Sequence, residues 1–287
     1  MKIIEPSFEI FLPCDAKDMI KNVAKAARTC YKSEINASEE ADKKLIKNLI
    51  KNKHHAMLEH ASFTVKFICD RGVSHEIVRH RVASYAQEST RYCNYGKISD
   101  GITFIEPIIF KNVSLEEKEK IADGMLMFFD DSVNPDPLAL YSSWYWAMVD
   151  AENAYDHMLE FGATPEIARS VLPNSLKTEI VMTANIREWR HFLSLRAVGE
   201  TGKPHPEIQR IARPLLRKLY EIMPIFFEDL YKKDSANITY EICKQKDEIK
   251  TDEQIANELF ISVDDEEFKI RKAIFNMIEG AKVKRND

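Results

Sequence analysis

Arg79-His80-Arg81-Val82-Ala83-Ser84-Tyr85-Ala86-Gln87-Glu88-Ser89-Thr90-Arg91 concentrates arginines, a histidine and hydroxyl side chains without a single lysine. Arginine presents a planar, permanently charged fork that matches phosphate geometry, whereas lysine serves wherever a surface only needs charge. Across the rest of the chain lysine is the commoner cation. The run therefore reads as an anion-binding site, against the plainer alternative of surface ion pairs.

Working outward, residues 61–69 alternate Phe63, Val65, Phe67 and Cys69 against Ser62, Thr64 and Lys66, which predicts a strand with one buried face. Gly72 and Ser74 are expected to open a helix carrying Arg79 and His80, and residues 84–95 to form a loop. Upstream, Phe8, Ile10 and Leu12 predict a strand closed by Pro13. Helices are expected over about 15–29 and from the cap Ser38 onward. Downstream, Thr164-Pro165-Glu166 marks a helix start, with threonine as cap, and that helix carries Arg169. Residues 177–184 predict a strand. Asn185, with Glu188 three positions later, predicts a capped helix ending near Arg196 and starting where free amides favour anions. Pro206 starts another helix, which Pro214 should bend.

The composition narrows the ligand. A hydrophobic content of 45% supports a packed core, and a formal charge of -5 argues against a general nucleic-acid binder, which must neutralise many phosphates. Local arginines in an acidic chain suggest a small anion. The five cysteines form no CxxC pair and are odd in number, so a reducing cytoplasm is the expected compartment. Met1-Lys2-Ile3-Ile4-Glu5 reads as no signal region, and no apolar run approaches bilayer length.

Two chemistries are disfavoured by spacing. His75 and His80 are five apart, and His55 with Glu59-His60 misses the inverted zinc motif by one residue, so no metal is expected. Ser89 lacks a nucleophile elbow and an acid placed to orient His80 as a base, so its hydroxyl is read as binding phosphate beside Arg91. His54, His55 and His60, read alone, are polar caps and ring edges packed between a helix and a strand.

Arg-His-Arg followed by seven residues and a serine resembles the signature of the flavin-dependent thymidylate synthases. The likeness extends to His54-His55-Ala56-Met57-Leu58-Glu59-His60, to Ala168-Arg169 with Leu172-Pro173, to Asn185-Ile186-Arg187, to Phe192-Leu193-Ser194-Leu195-Arg196 and to Ala26-Ala27-Arg28. It spans roughly residues 1–228 and nothing recognisable follows. The resemblance implies an α+β fold, a twisted β-sheet with helical layers, with a synthase-like domain over 1–230 and a C-terminal extension over 231–287. That extension is acidic at 264–267, yet Ile255, Leu259, Phe268 and Ile274 are available for packing, so it is read as helical.

The resemblance further implies reductive methylation of dUMP to dTMP, with FAD as cofactor and NADPH and methylenetetrahydrofolate as co-substrates, in a homotetramer whose flavin sites are shared between subunits. Arg79, Ser89, Thr90, Arg91 and Arg169 would hold the phosphate and sugar of dUMP, with Glu76 and Gln87 beside the nucleotide. Arg196 would face the uracil and stabilise charge on it. His54, Arg79, Arg81, Gln87, Asn185, Arg187, His191 and His205 would line the FAD. Departures from the family are Ala86-Gln87 for Asn-Glu, Glu76 for Gln, Ala56 for a hydroxyl residue, and a longer loop at 199–204 before His205. The alternatives are a related flavoprotein acting on another nucleotide, and a non-catalytic nucleotide- or RNA-binding module.

Overall fold

The computed structural model describes residues 1–30, 32–33, 37–97, 101–124 and 137–244. Its strands are β1 (Lys2–Ile4), β2 (Ser7–Phe11), β3 (Ser62–Asp70), β4 (Ala83–Gln87), β5 (Thr103–Ile105) and β6 (Lys177–Asn185). They form a four-stranded sheet in the order β2-β3-β6-β4 and a parallel β1-β5 pair that matches Lys2 with Thr103 and Ile4 with Ile105. β3 buries Phe63, Val65, Phe67 and Cys69 on one face, as its alternation requires, and β6 buries Thr178, Ile180, Met182 and Ala184. With helices interleaved, the fold is α+β as expected.

The chain divides into two compact units: Met1–Ile10 with Val65–Met182, and Phe11–Thr64 with Thr183–Asp287. The first unit carries α3 (Arg71–Ile77), α4 (Leu115–Ala122), α5 (Pro137–Glu160) and α6 (Pro165–Ala168). Its core gathers Tyr95, Ile102, Phe104, Met148, Tyr155 and Leu176. α3 is capped by Asp70, whose carboxylate accepts the Val73 N–H at 2.8 Å. The helix stops at Ile77, so Arg79 and His80 lie beyond it, contrary to expectation. The chain leaves the helix through a turn in which the His80 N–H donates to the Ile77 carbonyl at 3.1 Å, and the Tyr85 hydroxyl shares its one proton between the carbonyls of Ile77 at 3.0 Å and His80 at 2.5 Å. Tyr85 belongs to β4, so part of the expected loop over 84–95 is strand.

The second unit contains α1 (Ala16–Thr29), α2 (Glu39–Lys51), α7 (Ile186–Leu193), α8 (Pro206–Ile222) and α9 (Pro224–Lys244). Asp15 and Ser38 cap the first two through their side chains. Trp189 of α7 stacks on Phe63 with centroids 4.9 Å apart and donates its indole N–H to the Phe63 carbonyl at 3.1 Å. Arg213 and Asp234 form a buried ion pair at 3.0 Å, and Arg28 meets Asp42 likewise between α1 and α2. α8 continues through Pro214. The boundary expected at 230/231 falls inside α9, and the remainder of the extension, 245–287, lies outside the described residues. Cys14, Cys30, Cys69 and Cys93 are free thiols. Among the described residues, no helix is long and apolar enough to cross a membrane.

Candidate functional site

In the first unit, β4 delivers the arginine-rich run into a tight turn. The Ser89 carbonyl accepts the N–H groups of Tyr92 at 3.2 Å and Cys93 at 3.0 Å, while its hydroxyl accepts the Arg91 N–H at 3.3 Å. This folds Ser89, Thr90 and Arg91 into one short loop. Arg169 reaches it from the far side of the sequence, its guanidinium Nη1 donating to the buried Thr90 hydroxyl at 3.1 Å. The Arg169 Nε binds the Glu166 carbonyl at 3.2 Å, and the Glu166 carboxylate pairs with Arg91 Nε at 2.8 Å. Thr90, Arg91 and Arg169 are thus brought together with Glu166 among them, and both guanidinium groups are exposed. Thr164 does not cap α6 through its side chain; α6 is only four residues long and passes directly into a 3-10 turn at Arg169–Val171.

Arg79 and Arg81 are exposed in the segment between α3 and β4. Gln87 takes another direction: its amide nitrogen donates to the Ser74 hydroxyl at 2.9 Å and to the Thr178 hydroxyl at 3.2 Å, both fully buried. Ser74 lies two positions before the half-buried Glu76 on α3, so the exchanged amide is anchored to the element that carries the exchanged carboxylate.

In the second unit, His54 is exposed at the head of a 3-10 turn over His55–His60. Glu59 in that turn pairs with Arg187 at 2.5 Å, and both side chains are about half exposed. Asn185 caps α7 by accepting the Glu188 N–H at 2.9 Å, and the Ile186 N–H binds the Ala61 carbonyl. Two of the first amides of α7 are therefore occupied, those of Ile186 and Glu188. Burial and then the nearby Arg190 hold the His55 imidazole below its ordinary pKa, while burial pushes the Glu188 carboxyl up. His191 is exposed on α7, and His205 is exposed just before Pro206.

Arg196 does not sit on a continuous α-helix. α7 ends at Leu193 and Ser194–Val198 forms a π-turn, in which the Ser194 carbonyl accepts the N–H groups of Gly199 and Glu200, each at 3.0 Å. Gln209 binds the Ala197 carbonyl and Asn237 the Val198 carbonyl, both at 3.0 Å, bracing the turn. Gly199 ends it at φ 79°, where a Cβ would stand 2.9 Å from Pro204 Cδ and 3.0 Å from the Gly202 carbonyl, so only glycine fits.

A sequence profile of the family described as "Thymidylate synthase complementing protein" matches residues 14–225. The chain belongs to this family. A flavin-dependent thymidylate synthase of Geobacter sulfurreducens is 32% identical over 216 residues, covering 72% of this chain and 80% of that one. Another, from Mycobacterium marinum, is 32% identical over 208 residues, covering 71% and 76%. Among solved structures, a UMP/dUMP methylase PolB from Streptomyces cacaoi bound with 5-Br dUMP aligns with a TM-score of 0.62 at 26% identity, covering 79% of this chain and 96% of that one. Membership makes the protein an enzyme of the methyltransferase class.

Two carboxylates acquire arginine partners that the sequence did not pair them with. Glu166 and Glu59 occupy the guanidinium groups of Arg91 and Arg187. Neither pairing is announced by a motif, because each arginine lies in a distant part of the chain from its carboxylate. The only local sign is the spacing of Glu166 and Arg169, one helical turn apart.

Proposed function

We propose that this enzyme is a flavin-dependent thymidylate synthase that converts dUMP to dTMP, taking one carbon from methylenetetrahydrofolate and reducing equivalents from NADPH through FAD, as a homotetramer. The observation that carries the reading is the convergence of Thr90, Arg91 and Arg169 on one loop in a chain of this family. A phosphate dianion suits exposed guanidinium groups beside a hydroxyl, since charge-assisted bonds to phosphate are strong and directional. Ser89, in the same loop, adds a hydroxyl, and Arg79 supplies a further exposed guanidinium for nucleotide or flavin phosphate.

Arg196 is assigned to the uracil. Its mounting on a braced π-turn favours a fixed guanidinium, which stabilises charge developing on a ring without giving up a proton. For FAD the family resemblance assigns His54, Arg79, Arg81, Gln87, Asn185, Arg187, His191 and His205; Arg79, Arg81 and Arg187 are each exposed, and a guanidinium is the side chain suited to a pyrophosphate. Bound flavin would supply the electron pair of the reduction. The protein's own share is orientation and charge placement, which accounts for a phosphate-binding role at Ser89 in place of a nucleophilic one.

The test is direct. Purified protein is expected to take up FAD, to bind dUMP and to form dTMP when methylenetetrahydrofolate and NADPH are supplied. UMP, offered in parallel, reports whether the sugar is discriminated. Protein that neither binds FAD nor consumes dUMP would overturn the reading in favour of a binding module.

A further inference from the structure

Glu88 stands between the strand that delivers the anion-binding loop and the loop itself, and no role in binding nucleotide or flavin falls to it. Its two carboxylate oxygens are both engaged: one accepts the Tyr95 hydroxyl at 2.9 Å, the other the Lys177 ammonium at 3.0 Å. Its own N–H donates to the Glu179 carbonyl at 2.9 Å, extending the hydrogen bonding to β6 beyond the end of β4. Tyr95 is equally fixed: it is 4% exposed, packs edge-on against Tyr155, and donates its backbone N–H to the Tyr155 hydroxyl at 3.3 Å. Lys177 also binds Glu179 at 2.7 Å, and Glu179 pairs with Lys66 on β3.

The Glu88–Tyr95 bond therefore joins the two ends of the segment that contains Ser89, Thr90 and Arg91, and Lys177 ties that junction to the sheet. We propose that Glu88, Tyr95 and Lys177 form a clasp that positions the Ser89–Arg91 loop for the phosphate of the nucleotide. Closing a loop before the ligand arrives removes conformational freedom that binding would otherwise have to suppress. The four charges of Glu88, Lys177, Glu179 and Lys66 sum to zero, so the clasp holds the loop without contributing net charge to the arginines. Lys177 stays protonated: burial works against its charge, but its bonds to Glu179 and Glu88 more than compensate.

The inference rests on the proposed dUMP-binding role of the loop. Its first test needs no nucleotide: in the FAD-loaded enzyme, the Tyr92 and Cys93 amides, which bind the Ser89 carbonyl, should be protected from hydrogen exchange before dUMP is added. Amides that exchange freely until dUMP arrives would overturn the proposal. Tyr95→Phe keeps the ring and opens the clasp; it is expected to speed exchange at those two amides and weaken dUMP binding about tenfold, the worth of one bond to a charged group. Its saturated single-turnover rate should stay within about twofold and FAD uptake should be unchanged. Lys177→Glu should weaken dUMP binding, and adding Glu88→Lys should recover part of the loss, a rescue that loss of packing alone would not give. Folded Tyr95→Phe with unaltered exchange and unaltered dUMP affinity would sink the clasp, whereas a wild-type enzyme that ignores dUMP would sink the functional reading.

Discussion

Glu166→Gln is expected to tighten nucleotide binding, because the carboxylate of Glu166 occupies the guanidinium that dUMP phosphate would use. The Arg91–Glu166 bond is 2.8 Å long, but the two side chains are 49% and 53% exposed. Pairs this exposed are worth ~0–1 kcal/mol, so releasing Arg91 should lower the dUMP dissociation constant by up to about fivefold. Arg169 should keep its place, since its Nε binds the Glu166 backbone carbonyl and its Nη1 the Thr90 hydroxyl. Salt screens such a pair, so the gain should fade as ionic strength rises toward about 1 M. Titration of the FAD-loaded enzyme with dUMP at several salt concentrations measures both effects, with single-turnover dTMP formation expected to be unchanged at saturation. Weaker dUMP binding in Glu166→Gln at every salt concentration would refute the reasoning and mean that Glu166 aims Arg91 at the phosphate.

Four further outcomes are expected. Arg196→Lys should retain FAD and NADPH oxidation while dTMP formation falls roughly 100-fold or more, since the planar fork is lost from a braced turn; a normal saturated rate would separate Arg196 from the uracil. Ser89→Ala should keep turnover and lose dUMP affinity worth ~1–3 kcal/mol, and abolished chemistry in the folded, FAD-loaded variant would revive a nucleophilic serine. Glu76→Gln should weaken dUMP binding and Gln87→Glu should recover part of it, a double-variant titration in which strictly additive losses would show the positions to be independent. Asp229 accepts two bonds from Arg190, each at 2.7 Å; burial favours its neutral form, but the hydrogen bonds and charge of Arg190 outweigh this and hold its pKa below the ordinary 3.8. The stabilisation is therefore complete well above pH 3.8 and disappears as pH falls through the lower folded value. Asp229→Asn should lower Tm at neutral pH, and the deficit should narrow below that point; a pH-independent deficit would contradict the pairing.

Elements with their own periodicity were legible from the sequence. β3 declared its buried face through Phe63, Val65, Phe67 and Cys69, and α2 declared its start through Ser38. β4 did not, because Ala83, Ser84, Ala86 and Gln87 have neither a fully buried face nor strong strand preference; pairing with β6 makes it a strand. The grouping of Thr90, Arg91 and Arg169 was legible in part, since Thr90 and Arg91 stand in one block and Arg169 in another. Their surroundings were not: Glu166 opposite Arg91, the Glu88–Tyr95 bond and the buried hydroxyls holding Gln87 depend on contacts between separated segments.

The π-turn under Arg196 amounts to a helix carrying one surplus residue. An α-helix turns its side chains by roughly 100° per residue, so deleting Leu195 would allow the chain to revert to ordinary α-helical winding while swinging Arg196 about a quarter-turn away from its present direction. The backbone would gain regular bonding and the guanidinium would lose its aim. A single-codon deletion here is thus expected to redirect Arg196, and dTMP formation lost from a variant that still folds and takes up FAD would mark angular phase as the limit on length in this segment.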